Sequence, residues 1–272
     1  MWYNVVILFH RKMILMKILC IGDVVGIIGC EFLRSKLPNL KKFYGIDMVI
    51  CNGENSADGN GITPSSARHL FDSGVDVITL GNHSFRRREA YDYLDNTPYI
   101  IRPANFPEGT TPGTGVYVFD MGRISVTVIN LMGTMFLDNS LQSPFDIIDG
   151  ILEKNESKIT VVDFHAETTS EKLAMGYYLD GRVSALFGTH THVQTSDDRV
   201  LNGGTGYITD VGMTGPLNSV LGIKPEIAIE KFKTRMPVRF EIKKGDCKLE
   251  AVIFDIDEKT AKTKSTERLR IL

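Results

Sequence analysis

The sequence predicts an α/β protein built on two sheets, and three observations carry that expectation. Apolar, β-branched runs alternate with helix-period segments from Lys17 to Leu80, the pattern of a largely parallel sheet with right-handed crossovers. From Gly115 onward the strand-like runs include a hairpin, which points to a second sheet. At 272 residues, 43% hydrophobic and 24% charged, the chain can bury one large core.

The elements follow in order. Lys17–Ile21 reads as the first strand and runs into Gly22-Asp23. From Glu31 to Tyr44, Phe32, Leu33, Leu37, Leu40 and Phe43 recur at helical period despite Pro38. Asp47–Cys51 is the second strand, closing on Asn52-Gly53-Glu54-Asn55. Thr63 is the expected N-cap of a helix with Pro64 at its first position and Gly74 past its end. Val75–Leu80 is the third strand, followed by Gly81-Asn82-His83. Gly115–Leu131 alternates as two strands joined at Asp120–Gly122, and a short helix follows from Ser143. Lys158 begins a strand ending at His165, then comes a helix capped by Thr169 or Ser170. The run from Val183 is a strand ending in His190 and His192. Met236–Asp257 reads as a hairpin turning at Lys244-Gly245-Asp246, with the tail after it a final short strand or loose end.

Met16 opens the expected single domain, residues 16–272, and residues 1–15 are read as an upstream extension. The apolar run Val5–Phe9, cut by His10, Arg11 and Lys12, is too short to span a bilayer, so no stable membrane insertion is expected. A formal net charge of −2 leaves no footprint for duplex nucleic acid. Cys20, Cys30, Cys51 and Cys247 form no C-x-x-C pair. They read as small buried hydrophobes in a reducing, cytoplasmic compartment rather than as a zinc site.

Chemistry collects at the strand ends: Asp23, Glu54 with Asn55, Asn82 with His83, His165, and His190 with His192. Ligands of open α/β sheets sit at that carboxyl edge. Singly, each residue has an ordinary reading. Asp23 fits a helix cap, the asparagines fit turns, and His165 fits a satisfied core histidine. His190 and His192, two apart, would share one side of an extended chain. Jointly, carboxylate, amide oxygen and imidazole without thiolate form a ligand set for Mn, Fe or Zn in hydrolysis. Two ions about 3.5–4 Å apart need a shared ligand, a role that suits the Glu54 carboxylate. His83, next to Asn82, suits a general acid that is not itself a ligand.

Gly22-Asp23, Gly81-Asn82-His83, the isolated His165 and Gly188-Thr-His-Thr-His192 resemble the motif string of the calcineurin-like metallophosphoesterase superfamily. Two departures, no histidine after Asp23 and "NGEN" for the usual second aspartate, are similar to its YmdB-type subfamily. "NGENSADGNGIT", "RPANFPEGT" and "TDVGMTGPLNSVLG" add to that likeness. The resemblance implies a four-layer α/β/β/α sandwich of two mixed sheets flanked by helices. It implies a phosphodiesterase that opens the 2′-ester of 2′,3′-cyclic nucleotides through a metal-bridging hydroxide. By position, Asp23, Glu54, Asn55 and His192 would hold one ion, and Glu54, Asn82, His165 and His190 the other. The ions would be Fe or Mn, with Zn as a further option, and His83 the proton donor. A small cyclic nucleotide is the expected partner, in a homo-oligomer. Ser84-Phe85-Arg86 stand where the subfamily usually has Thr-Trp-Asp, which bears on substrate contacts. The alternatives are a phosphomonoesterase and a metal- and nucleotide-binding regulator with incidental catalysis. Ala57–Thr63 reads equally as an anion-approaching loop or a plain turn, Gly212–Pro216 as a cleft or oligomer lining, and Arg86–Arg88 mostly as a solvated helix face.

Overall fold

A computed structural model describes residues 15–137 and 140–272. The expected extension at residues 1–15 therefore lies, except for Leu15, outside the described residues.

The strands, in chain order, are β1 (Leu15–Ile21), β2 (Asp23–Val24), β3 (Met48–Asn52), β4 (Val77–Thr79), β5 (Ile100–Ile101), β6 (Val116–Asp120) and β7 (Ser125–Met132). They continue as β8 (Ile159–His165), β9 (Ala185–Thr189), β10 (Arg199–Val200), β11 (Gly206–Ile208), β12 (Met213–Pro216), β13 (Cys247–Asp257) and β14 (Thr263–Ile271). The α-helices are α1 (Gly26–Tyr44), α2 (Pro64–Asp72), α3 (Tyr91–Asp95), α4 (Pro144–Lys154), α5 (Thr169–Tyr178) and α6 (Pro225–Thr234).

One sheet runs β2-β12-β13-β1-β3-β4-β5 with β14 beside β13, and the other runs β10-β11-β9-β8-β7-β6. Both are mixed: β1, β3, β4 and β5 are parallel, as are β7, β8, β9 and β11. β1 lies antiparallel to β13, and β6 antiparallel to β7. Strand alternation then sorts the side chains into layers. Leu19, Val49 and Ile78 meet Leu33, Leu37 and Leu70 of α1 and α2. Ile18, Met48 and Val77 turn the other way and join Val161 and Phe187 between the sheets. Val162 and Leu186 meet Ile148 and Met175 of α4 and α5. The order of layers is the expected α/β/β/α. No helix among the described residues is long and apolar enough to cross a membrane.

Four local expectations are corrected. α1 starts at Gly26 rather than Glu31, because its first turn packs through glycine: a Cβ on Gly29 would sit 2.5 Å from Thr214 O. Such packing leaves no apolar period to read. α5 is capped by Thr168, whose hydroxyl accepts the Glu171 N–H, not by Thr169 or Ser170. The Met236–Asp257 hairpin does not form. Ile242 instead bridges Ile223, and Lys243 N–H donates to Gly222 O. β13 hairpins with β14, so the tail is a nine-residue strand. Helix α6, which the sequence reading missed, precedes the failed hairpin.

Candidate metal centre

Parallel strands β1, β3, β4, β8 and β9 all deliver their carboxyl ends to one edge, and the eight expected site residues follow there. Asp23, Glu54, Asn55 and His165 are buried, while Asn82, His83, His190 and His192 are half-buried. Asp23 does not cap a helix. The N-cap of α1 is Val25, without a side-chain cap bond. The aspartate instead accepts the His190 N–H at 3.1 Å and lies 3.5 Å from His192 Nε2. Nor do His190 and His192 share a strand face. β9 stops at Thr189, and both histidines have left-handed backbones, φ 104° and 62°. That strained turn aims both imidazoles inward and costs about 1–3 kcal/mol per residue.

Around His165 Nε2 sit Asn82 Oδ1 at 2.9 Å, His190 Nδ1 at 3.0 Å and Glu54 Oε1 at 3.2 Å. Each histidine is anchored by its other nitrogen. His165 Nδ1 meets Thr189 Oγ1 at 2.9 Å, and that hydroxyl donates to Asp163 at 2.7 Å. His190 Nε2 meets Glu167 at 2.9 Å, and His192 Nδ1 donates to Leu221 O at 3.1 Å. With the outer nitrogens engaged, each inner nitrogen is turned toward the same space, the arrangement that orients metal-binding imidazoles. One proton on His165 cannot satisfy three converging acceptors; a cation can. The donor set fits a metal.

The electrostatics agree. Burial opposes charge on His165, but Glu54 and then Asp23 outweigh it and raise its pKa to about 9. Burial, then His165, push His190 down to about 4, so it is neutral and ready to ligate. Burial also works against ionising Asp23 and Glu54. His192 and His165 nevertheless hold Asp23 well below the carboxylate range, and His165 and His83 lower the pKa of Glu54.

Asn55 departs from the expected role. Its amide nitrogen faces Asp23 at 3.3 Å, Glu54 at 3.4 Å and His192 at 3.2 Å, while its oxygen meets His83 Nδ1 at 2.8 Å. In this orientation it bridges the carboxylates and steers His83 rather than offering oxygen to the centre. His83 N–H donates to Glu54 Oε2 at 2.8 Å, which ties the two together.

Sequence reasoning overlooked the shell behind the candidate ligands. Asp163, Thr79, Thr189 and Asn52 form a buried network under His165, with burial lifting Asp163 to about 7. The signal was present: a carboxylate two residues before His165 shares its face of a strand. Lys172 and Asp210, a buried pair at 2.7 Å, were missed too. Asp210 also accepts the Thr191 N–H at 3.0 Å and its hydroxyl at 2.8 Å, holding the turn between the two histidines. Arg87 is no solvated helix face. It donates to Asn60 O at 2.9 Å and Ala57 O at 3.2 Å, pinning the Ala57–Thr63 loop. A cleft of 1240 Å³ lies along β6 and α4, and none of the eight residues lines it.

Comparison with known proteins matches residues 19–269 to the model of a family described as YmdB-like protein. The chain belongs to that family. It is 47% identical over 258 residues to the 2′,3′-cyclic-nucleotide 2′-phosphodiesterase of Bacillus subtilis strain 168, covering 94% of this chain and 97% of that one. A crystal structure of a novel phosphatase from Mycoplasma pneumoniae superposes with TM-score 0.91 at 37% identity, covering 95% and 94%. A hypothetical protein from Thermus thermophilus gives 0.89 at 38%, covering 94% and 99%. In this YmdB-like chain the glycine that opens Gly81-Asn82-His83 has a steric reason. A Cβ there would lie 2.3 Å from the His165 ring.

Proposed function

We propose that the protein is a metal-dependent phosphodiesterase that hydrolyses the 2′-ester bond of 2′,3′-cyclic nucleotides. The observation that carries this is the set of three imidazoles, each anchored on its outer side and aimed inward at Glu54, Asn82 and Asp23. The 47% identity over 97% of the Bacillus subtilis phosphodiesterase supports the substrate class.

Glu54, Asn82, His165 and His190 would hold one ion, and Asp23, His192 and Glu54 the other. Bound Fe, Mn or Zn ions would supply a water acidified toward neutral pH and charge to clamp phosphoryl oxygens. The chain's residues do the rest. Asp163 and Thr189 lock the His165 ring, and Glu167 and Leu221 O lock the other two. Asn55 Oδ1 accepts from His83 Nδ1, so the second proton of the His83 imidazolium sits on Nε2, the edge toward the departing O2′. Burial first, then His165 and Arg86, lower the His83 pKa against Glu54 and Asp23. A phosphate anion arriving beside it favours the protonated form. We take residues 16–272 as one catalytic unit, since the ligands come from both sheets.

The test is metal analysis of the purified protein with product identification from 2′,3′-cyclic AMP. A 3′-phosphate product is expected, and a 2′-phosphate would contradict the reading. The Mycoplasma pneumoniae relative, described as a phosphatase, favours a second reading as a monoesterase. Hydrolysis of a chromogenic diester but not a monoester excludes it.

A further inference from the structure

We propose that the surface formed by α6 and the segment after it is a track for single-stranded RNA whose 3′-end carries a 2′,3′-cyclic phosphate. This rests on the phosphodiesterase reading and extends its substrate from mononucleotides to RNA ends. A 2′,3′-cyclic phosphate is what remains when a 2′-hydroxyl attacks the neighbouring RNA phosphodiester. The reactions that make this substrate therefore leave it on chain ends as well as on free nucleotides.

The surface begins at the metal centre. Leu221 O accepts from His192 Nδ1, Ile223 bridges Ile242, and Ile242 lies against Gly26 at the start of α1 and Gly59 in the loop after Asn55. Outward from there the chain is almost wholly exposed from Ile229 to Glu241. Phe232 is 66% exposed, Met236 64% and Phe240 48%. Lys231 Nζ stands 4.5 Å over the Phe240 ring.

Lys224–Asp246 holds seven basic and four acidic residues, net +3 in a chain of net −2. Of these cations only Lys224 is in an ion pair among the described residues, with Glu241. Lys233, Arg235, Arg239 and Lys244 are exposed and left to face solvent or a polyanion. Exposed aromatic faces beside unpaired cations are what a single strand uses, bases stacking while phosphates run along the charge. A two-fold contact with a second copy would bring these like charges together. An anionic bilayer would match the charge but would deliver nothing to the adjoining centre.

The step balances simply. Water oxygen bonds to phosphorus, the P–O2′ bond breaks with its electron pair on O2′, and O2′ takes a proton, leaving RNA with a 3′-phosphate.

The experiment compares 2′,3′-cyclic AMP with a ten-nucleotide RNA ending in a 2′,3′-cyclic phosphate. Hydrolysis, fluorescence anisotropy and light scattering are read on the parent chain, on Lys233→Ala/Arg235→Ala/Arg239→Ala and on Phe232→Ala. The RNA should show a KM about ten-fold or more below the mononucleotide. The triple variant should lose that gain and lower the salt slope of RNA binding by roughly 2, with mononucleotide hydrolysis unchanged. Equal KM values, or variants with undiminished RNA binding, overturn the inference while leaving the phosphodiesterase reading intact. So does binding to phosphatidylglycerol vesicles without RNA binding, or a dimer that the variants dissociate. RNA bound through these residues with neither substrate hydrolysed defeats the phosphodiesterase reading and leaves the RNA surface standing.

Discussion

Lys172→Met gives the sharpest test of how the two-histidine turn is held. The Lys172 ammonium is fully buried and its partner Asp210 is 1% exposed. Removing the cation leaves a carboxylate inside the protein with three donors but no counter-charge: Thr191 N–H, Thr191 hydroxyl and Gly212 N–H. Breaking a buried pair this way costs about 3–5 kcal/mol, a large part of a stability of about 5–15 kcal/mol. At about 2–4 °C per kcal/mol, the melting temperature should fall by roughly 6–20 °C. Adding Asp210→Asn removes the stranded charge while its amide oxygen still accepts from Thr191. The double variant should therefore recover to within about 1–2 kcal/mol of the parent. Because the turn also carries His190 and His192, the single variant should bind Mn about 10–100-fold more weakly. Calorimetry and a metal titration on the four members of the cycle measure both effects. A single variant within about 1 kcal/mol of the parent, or a double variant no better than the single, would refute the reasoning.

Three further outcomes are expected. His83→Ala should lower kcat by about 10²–10⁴-fold while metal content stays at the parent level, because its ring meets Asn55 and Glu54 and reaches outward; equal metal loss would reassign it as a ligand. Glu54→Ala should abolish both activity and bound metal, read by elemental analysis, since its carboxylate touches His165, His83 and Asn55. For the metal-free protein, His165 has a folded pKa of about 9, above an ordinary value of 6.5. Its contribution to stability is then complete below about pH 6.5 and is lost as pH rises through about 9. Metal must displace that proton, so uptake should release protons and weaken as pH falls; calorimetry in buffers of different ionisation enthalpy counts them.

The site was more legible than its support. Asp23, Glu54, Asn82 and His165 each follow a run of buried β-branched residues, and a parallel sheet brings every such end to one edge. Their gathering thus needed only strand order. The turn at His190 and His192 could not be read this way. Strand alternation puts two such residues on one face, but the chain leaves β9 at Thr189 and both adopt positive φ. The hairpin expected at Met236–Asp257 failed for a related reason. Alternating Val238, Phe240 and Ile242 mimic a strand, yet Phe240 stays exposed and Ile242 finds Ile223 instead.

The sequence by itself determined the two-sheet α/β plan, the candidate ligands and their chemistry, because periodicity and residue type act locally. Tertiary structure alone decided which nitrogen of each imidazole faces inward, that Asn55 turns its oxygen to His83, and that Asp163, Glu167, Lys172 and Asp210 stand behind the candidate ligands. Those are contacts between residues far apart in the chain, and hydrogen-bond geometry, unlike hydrophobic period, leaves no regular spacing to read.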